Sequence, residues 1–401
     1  MLNVSITSRR SGGLGRTLVL ALGTFGVGTD AFVLAGFLPD MAASLDVSTA
    51  AAGQAVTVFA VAYAVASPVV ATLTARVPRR LLLVTALVAL GLANAASALA
   101  PNLPVLLVTR VLAAVAAAAY TPTAGAVAAR LVPPEQRARA LAVVVGGLTA
   151  ATALGVPLGD AIGALLGWRA ALWLVAALCL VTAVAVAALT PPLPGAAPVP
   201  LTVRLAALRR PGVLAVLPLT VLGMAAAYTG YAFAEPALET VGVTGSGTAW
   251  MLAAYGLGAI AGNLAAGVAA DRIGPAKVLT VGYAAMAATM TAFALLSATD
   301  ARSLPTVAAL AAAWGAASWC QTPPQQHRLI GAAPDQAPLL VALNSSAIYL
   351  GIGAGTLVGG LTIPTGAGAM FTVAAVLALA ALAWLTTTTR ATTPDGVPRE
   401  T

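Results

Sequence analysis

The chain has 401 residues, of which 60% are apolar and only 8% charged, and its mean hydropathy is +0.95. Soluble globular chains carry about 25% charged residues, so the charge needed to cover a water-facing surface is missing. Dividing the apolar residues by the ~20 that cross a bilayer as a helix gives roughly twelve spans, which excludes a soluble enzyme, a disordered chain and a single-anchor receptor.

The sequence pI of 10.2 reflects 20 basic against 12 acidic residues. Sparse cations on the inner face of a membrane protein give the same figure, so no nucleic-acid partner is implied. Cys179 and Cys320 lie far apart inside apolar runs, which suits small buried side chains rather than a disulfide or a metal site. No cofactor and no metal are expected.

Gaps between charges mark the spans. In chain order the expected helices cover 17–39, 50–75, 80–100, 104–130, 138–162, 169–190, 213–237, 248–270, 276–298, 303–323, 337–360 and 366–388. The last two come from one uncharged tract, which Ile363-Pro364-Thr365-Gly366 divides. Arg9-Arg10 ahead of the first span does not read as an export signal, because the apolar run is too long and no A-x-A site follows.

With twelve spans and the N-terminus inside, seventeen of the twenty Lys and Arg fall on one side: 9, 10, 16, 76, 79, 80, 130, 137, 139, 204, 209, 210, 272, 277, 328, 390 and 399. Arg169 and Arg302 fall on the other side, and Arg110 lies within a span. One missed helix in mid-chain would destroy this asymmetry, so it supports the count and places both termini in the cytoplasm. The expected location is the bacterial inner (cytoplasmic) membrane.

A proline-rich segment divides the chain into two six-helix bundles, at 1–190 and 213–390, with a cytoplasmic linker at 191–212 and a cytoplasmic tail at 391–401. A shift of 196 positions lays the start of helix 1 on that of helix 7 and Arg76 on Arg272, and carries Gly155, Gly159 and Gly163 onto Gly351, Gly355 and Gly359. Glycines spaced by four form one ridge that another helix can approach closely. Gly258 and Gly262 repeat the spacing in helix 8. These ridges suit either ordinary small-residue packing or a rocking interface between the halves. In such repeats the binding site sits at the midplane between them.

The strongest motif is Gly267-Val268-Ala269-Ala270-Asp271-Arg272-Ile273-Gly274 between helices 8 and 9. The second is Gly146 followed by Gly155-Val156-Pro157-Leu158-Gly159 in helix 5. The third is Arg110 in helix 4. On these residues the whole chain resembles the major facilitator superfamily, and within it the twelve-helix drug:proton antiporters that include chloramphenicol exporters and arabinose-efflux-like permeases. The resemblance implies an all-α integral membrane fold, twelve transmembrane helices as two pseudo-symmetric six-helix bundles. The glycines of the first motif give a tight turn, and Asp271 with Arg272 can latch a neighbouring helix when the halves rock. The first-half copy keeps Arg76, Arg79 and Arg80 but lacks the Gly and Asp, so there a simple positive-inside cluster is the leading reading over a latch. Pro157 should bend helix 5, with Gly155 and Gly159 permitting close contact at the bend; this motif favours export over uptake. Ala114 stands where the family usually has a glycine after the membrane arginine. Gly167-Trp168-Arg169 and Gln325-Gln326-His327-Arg328 also match the family, as loop landmarks.

Asp30 stands near the middle of helix 1. An ionised acid there costs about 2.5–3.5 kcal/mol on insertion scales, so it should face a cavity, hold a proton or pair with a cation. In the best-known relatives the acid is a glutamate one position later, where this chain has Ala31, and one position turns the side chain by about 100°. Asp30 with Arg110 is expected to couple protons to transport, or else to serve as a structural pair. Asp160 and Glu235 lie near the outer helix ends, where acids can reach interfacial water, Glu235 being the better functional candidate because it follows two tyrosines. His327 reads as a solvated loop residue.

Candidates for the pocket are Tyr63, Tyr120, Tyr228, Tyr231, Glu235, Trp314, Asn344 and Tyr349. Aromatic and amide groups deep in a bundle can bind flat, partly apolar ligands, although each could equally be core or lipid-facing. The leading expectation is proton-coupled efflux of a small, largely apolar compound such as a drug or antibiotic, by alternating access; a sugar or nucleoside permease is the alternative. No intramembrane histidine, metal-ligand cluster or close carboxylate pair supports an enzyme. The expected partners are a small-molecule substrate, protons and the lipid bilayer, for a chain acting as a monomer.

Overall fold

The computed structural model describes residues 12–133, 136–195, 200–299, 303–332 and 337–391. Arg9, Arg10, Arg302 and Arg399, and the tail beyond residue 391, lie outside them. The described residues form helices joined by short turns, with no strand among them. Twelve main helices are numbered here: α1 (Gly12–Phe32), α2 (Thr49–Leu73), α3 (Arg79–Ala98), α4 (Leu103–Arg130), α5 (Arg137–Ala150, a π turn over Ala151–Gly155, then Val156–Leu166), α6 (Trp168–Leu189), α7 (Pro211–Tyr231), α8 (Ser246–Ile273), α9 (Pro275–Ser297), α10 (Leu304–Trp319), α11 (Ala337–Thr362) and α12 (Ala367–Ala391). Eleven of them are long and apolar enough to cross a membrane.

The twelfth, α10, is shorter because Pro323 and Pro324 follow it, and it continues after a break as Thr322–Ala332. Pro323 brings no N–H to the carbonyl of Trp319. That carbonyl instead accepts from Nδ2 of Asn263 on α8, at 3.5 Å. Local chemistry sets the other ends as well. Ser48 and Asn102 cap α2 and α4 by accepting from the backbone N–H groups of Ala51 and Val105, each at 3.1 Å. Gly274, at φ +87°, turns the chain between α8 and α9, a conformation that favours glycine.

Besides helix 10, which ends at Trp319 rather than 323, two expected helix ends move. Helix 1 leaves the α-helical path at Phe32, passes through a 3₁₀ turn at Val33–Gly36 and resumes as Leu38–Leu45. Helix 7 was expected to reach 237 but ends at Tyr231, and Ala234–Glu239 forms a separate short helix. Pro236 has no N–H to carry the ladder on from Ala232.

In α5, Pro157 has no N–H for the carbonyl of Ala153, and its ring would crowd that carbonyl. The helix responds by widening into the π turn immediately before the proline. The bend expected there therefore takes the form of a one-residue bulge.

The internal repeat is visible in side-chain packing. Gly155 lies against Thr29 and Phe25 of α1, and Gly159 and Gly163 against Val33 and Phe37 in the segment that follows it. In the second half Gly351 lies against Val221 and Met224, Gly355 against Ala225 and Thr229, and Gly359 against Thr229 and Phe233, between α11 and α7. The 196-residue shift carries Phe25, Val33 and Phe37 onto Val221, Thr229 and Phe233. It also carries Thr24, which donates to the Val144 carbonyl on α5, onto Thr220, which donates to Asn344 on α11.

This packing corrects the rocking-interface reading of the glycine ridges. The triplets on α5 and α11 bind helices within each half, and Gly258 and Gly262 on α8 pack on Ala312 and Ala316 of α10, also within one half. The halves meet through other positions. Gly353 of α11 approaches Thr57, Ala60 and Val61 of α2, and Gly256 of α8 approaches Thr152 and Ala153 of the π turn. A ridge of small residues marks close approach, but its spacing does not say to which neighbour.

Odd-numbered helices begin, and even-numbered ones end, at the face carrying Arg16, Arg76, Arg130, Arg137, Arg272 and Lys277, here called the basic face. Contacts between the halves concentrate towards the opposite face. Gly360 lies near Ala50 and Gly53 near Phe233, and the short helix Ala234–Glu239 packs on Val33–Gly36 and Leu38–Leu45.

Candidate functional site

Inside the first half, Arg110 of α4 and Asp30 of α1 are fully buried and form the only ion pair among the described residues. Nη1 donates to Asp30 Oδ1 at 2.6 Å and Nη2 to the Asp30 main-chain carbonyl at 3.1 Å. Nη1 also reaches Oδ1 of Asn94 on α3 at 3.5 Å, and the guanidinium lies over the Phe59 ring of α2, 4.6 Å from its centroid. Four helices thus converge on one cation. Asp30 Oδ2 and Arg110 Nε have no hydrogen-bond partner, so one carboxylate oxygen is left unbonded.

A buried pair of this kind is tolerated because each charge compensates the other, while removal of either leaves an uncompensated charge in a low-dielectric interior. The position of the acid one residue before that of the best-known relatives does not prevent the pairing. Arg110 grips both the carboxylate and the backbone of Asp30, and so accommodates the changed rotation.

Phe59 links this pair to the seam between the halves. Its ring is 6.2 Å from that of Tyr349 on α11, and Tyr349 stacks on Tyr63 of α2 at 3.7 Å between centroids. A second aromatic group crosses the seam nearby. Phe32 of α1 meets Tyr228, Tyr231 and Trp319 of the second half at 5.6, 6.5 and 6.2 Å. Behind these rings lie Tyr255, 4.6 Å from Tyr231, and Trp314, whose indole N–H donates to the Ala227 carbonyl at 3.1 Å. The rings supply broad polarisable surfaces at the junction of the two bundles.

The sequence-predicted residues therefore separate into groups. Asp30 and Arg110 are together, as are Tyr63 and Tyr349, and Tyr228, Tyr231 and Trp314. Tyr120 lies apart, packed on Gly23, with its hydroxyl donating to the Leu20 carbonyl at 3.0 Å. Asn344 is occupied by Thr220 at 3.1 Å within the second half, and Glu235 stands beyond the end of α7.

Among the motif residues, Gly146 faces open space and Gly267 only brushes Pro323. Arg76 is exposed, and Arg79 bonds to the Ala75 carbonyl at 2.9 Å while its backbone N–H reaches the linker at Leu193. Asp271 and Arg272 are exposed and make no ion pair among the described residues, so the latch expected of them is not made there in this conformation. Sequence reasoning missed Phe32, Phe59, Asn94, Tyr255 and Trp319. A polar amide at 94 in an alanine-rich span was a usable signal; the aromatic residues gave none, because their facing neighbours are distant in sequence.

Two repeated helical bundles, the first holding a buried ion pair beside the seam, form the architecture of a multi-pass membrane transporter. The family model described as Major Facilitator Superfamily matches residues 20–236 and 219–401, and the chain belongs to that superfamily. It is 39% identical over 270 residues to a chloramphenicol resistance protein of Streptomyces lividans, covering 66% of this chain and 68% of that one. It is 33% identical over 362 residues to the inner membrane transport protein YdhP of Escherichia coli (strain K12), covering 88% and 90%. Among solved structures, a bacterial homologue of the human lysosomal transporter Spinster, inward-facing and unoccupied, matches with a TM-score of 0.75 at 17% identity, over 96% of this chain and 98% of that one. The protein is a transporter and not an enzyme.

Proposed function

We propose that the protein is a proton-coupled exporter of a small, largely apolar compound such as a drug or antibiotic, working by alternating access in the bacterial inner membrane as a monomer. The observation that carries this reading is the buried Asp30–Arg110 pair with its unpartnered carboxylate oxygen. Similarity to a chloramphenicol resistance protein supports the substrate class. The seam, built from aromatic rings, suits a flat apolar ligand better than a highly hydroxylated one.

In this mechanism the basic face is cytoplasmic, as are both termini, and the bundles 1–190 and 213–390 rock about the linker at 191–212. The halves meet towards the outer face, so the conformation described has that face closed. Protonation of Asp30 from outside neutralises the partner of Arg110 and releases substrate. Loss of the proton to the cytoplasm restores the pair and the binding state. The membrane potential supplies roughly 2.3 kcal/mol per charge per 100 mV, enough for each proton to support about a fifty-fold gradient of a neutral substrate.

The test is a resistance and accumulation screen in a bacterium lacking its own exporters. The intact protein should raise tolerance to at least one antibiotic and lower its accumulation, and Asp30→Asn, produced at the same level, should not. Equal protection by both proteins would contradict the reading.

A further inference from the structure

A group of carboxyls at the face opposite the basic one takes no part in the function above. Asp160, in the last segment of α5, belongs to the first half. Its Oδ1 lies against Gly36, where an added methyl carbon would stand 2.5 Å away. Asp160 is 7% exposed and makes no hydrogen bond or ion pair among the described residues. Glu235, across the seam in the short helix Ala234–Glu239, is half-buried, and its Oε2 is buried without a partner. Tyr231, whose buried hydroxyl has no partner, lies within electrostatic reach of Asp160.

The charged neighbours are all acids. Asp40 comes from the helix Leu38–Leu45, Asp160 from α5 and Glu239 from the same short helix as Glu235. The segment Val33–Gly36 has no charged residue, and the charges of α8 are Asp271 and Arg272 at its other end. Among the described residues the basic side chain at this face is Arg169, which is held over the Trp168 ring at 4.3 Å and by the Ala100 carbonyl at 3.2 Å. Two carboxyls thus approach the segment Val33–Gly36 from opposite halves, with no cation paired to either among the described residues, an arrangement that favours protonation of one.

We propose that Asp160 and Glu235 form a second proton-binding site on the seam, at which a bound proton keeps the outer face closed. The site rests on the orientation given above but does not depend on coupling through Asp30. Burial, then the carboxyls of Asp40, Asp160 and Glu239, push Glu235 up to about 7. When the outer face opens, the carboxyls separate into water and Glu235 returns towards its ordinary value of about 4.3. The closed state therefore binds more protons than the open state between these limits, and raising the pH through 7 favours opening. One such proton makes the open-to-closed ratio rise about tenfold between pH 6 and pH 8.

The test is double electron–electron resonance on the full chain in lipid nanodiscs, with Cys179→Ala and Cys320→Ala and spin labels on Ala43→Cys and Thr244→Cys, two exposed positions on opposite halves. The wild-type background should show the tenfold rise in the long-distance population. Glu235→Gln should reduce it to about twofold or less, with the outer face still closed at pH 8, whereas Asp160→Asn should weaken it less, because burial and Asp40 still act on Glu235. Asp46→Asn, at an exposed acid on the same face, should retain it. Asp30→Asn should retain it as well, even though it abolishes driven export, so the two readings fail separately. The proposal is overturned if the wild type shows no pH response, if Glu235→Gln keeps the full response, or if Asp30→Asn removes it.

Discussion

Arg110 holds Asp30 twice, through its carboxylate at 2.6 Å and through its main-chain carbonyl at 3.1 Å. The second bond is independent of protonation, so a proton arriving at Asp30 would release the side chain without releasing the helix. Charge change and structural integrity are thereby assigned to different atoms. Arg110→Ala removes both bonds and leaves Asp30 buried and unpaired, which costs about 3–5 kcal/mol. It should fold poorly and lower the thermal midpoint. Asp30→Asn keeps an acceptor at the same place and the main-chain bond but leaves the Arg110 cation without its counter-charge, so its midpoint should also fall, by less than that of Arg110→Ala. Thermal unfolding of the two detergent-solubilised variants checks this.

The two glycines Gly355 and Gly353, on one helix, should respond differently to the same change. A methyl group at Gly355 would stand 2.5 Å from the Ala225 carbonyl oxygen, within the second half. At Gly353 it would lie 3.0 Å from Val61 and 3.4 Å from Ala60, across the seam. Gly355→Ala forces rigid backbone apart and should destabilise by about 1–3 kcal/mol. Gly353→Ala should leave the unfolding midpoint nearly unchanged but loosen the closed outer face. Cysteine accessibility at outer positions, measured beside thermal stability, separates these effects.

The Tyr63–Tyr349 stack crosses the seam at 3.7 Å and offers ring surface rather than charge. Tyr349→Phe retains that surface and should transport with a KM within about twofold of wild type, whereas Tyr349→Ala loses an aromatic contact of about 0.5–1.5 kcal/mol. Its KM should rise about two- to tenfold. Concentration-dependent uptake into inverted vesicles gives both values. Equal KM for Phe and Ala would remove the stack from the binding site.

Within one motif, Gly274 and Asp271 should also part company. Gly274 has φ +87°, so Gly274→Ala introduces backbone strain of about 1 kcal/mol or more. Asp271 is exposed and makes no ion pair among the described residues, and Asp271→Asn should shift stability by less than about 0.5 kcal/mol. Its effect should appear instead in transport rate, through the opposite conformation in which a latch can form. Stopped-flow transport beside calorimetry distinguishes the two.

Much of this architecture was legible in the sequence because the membrane imposes simple rules. Backbone satisfaction demands helices, charge gaps delimit them, and a lone mid-span acid needs a partner, which identified Asp30 and Arg110. The 196-residue offset anticipated the matched packing of Gly155 on Phe25 and Gly351 on Val221. Other features escaped because they depend on which helix lies opposite. Nothing local assigns Gly355 to α7 and Gly353 to α2, or turns Tyr120 towards Leu20 and Tyr349 towards Tyr63. The end of α7 at Tyr231 depended on Pro236, a break that an apolar window passes over.

The central claim is that substrate leaves in exchange for protons carried by Asp30. The most direct measurement uses purified protein in liposomes containing a pH-sensitive dye, with an exported antibiotic added to one side at constant membrane potential. The wild type should move protons opposite to the antibiotic in a fixed ratio, and Asp30→Asn, equally folded, should move none. Antibiotic transport without proton movement in the wild type, or undiminished exchange in Asp30→Asn, would contradict the account.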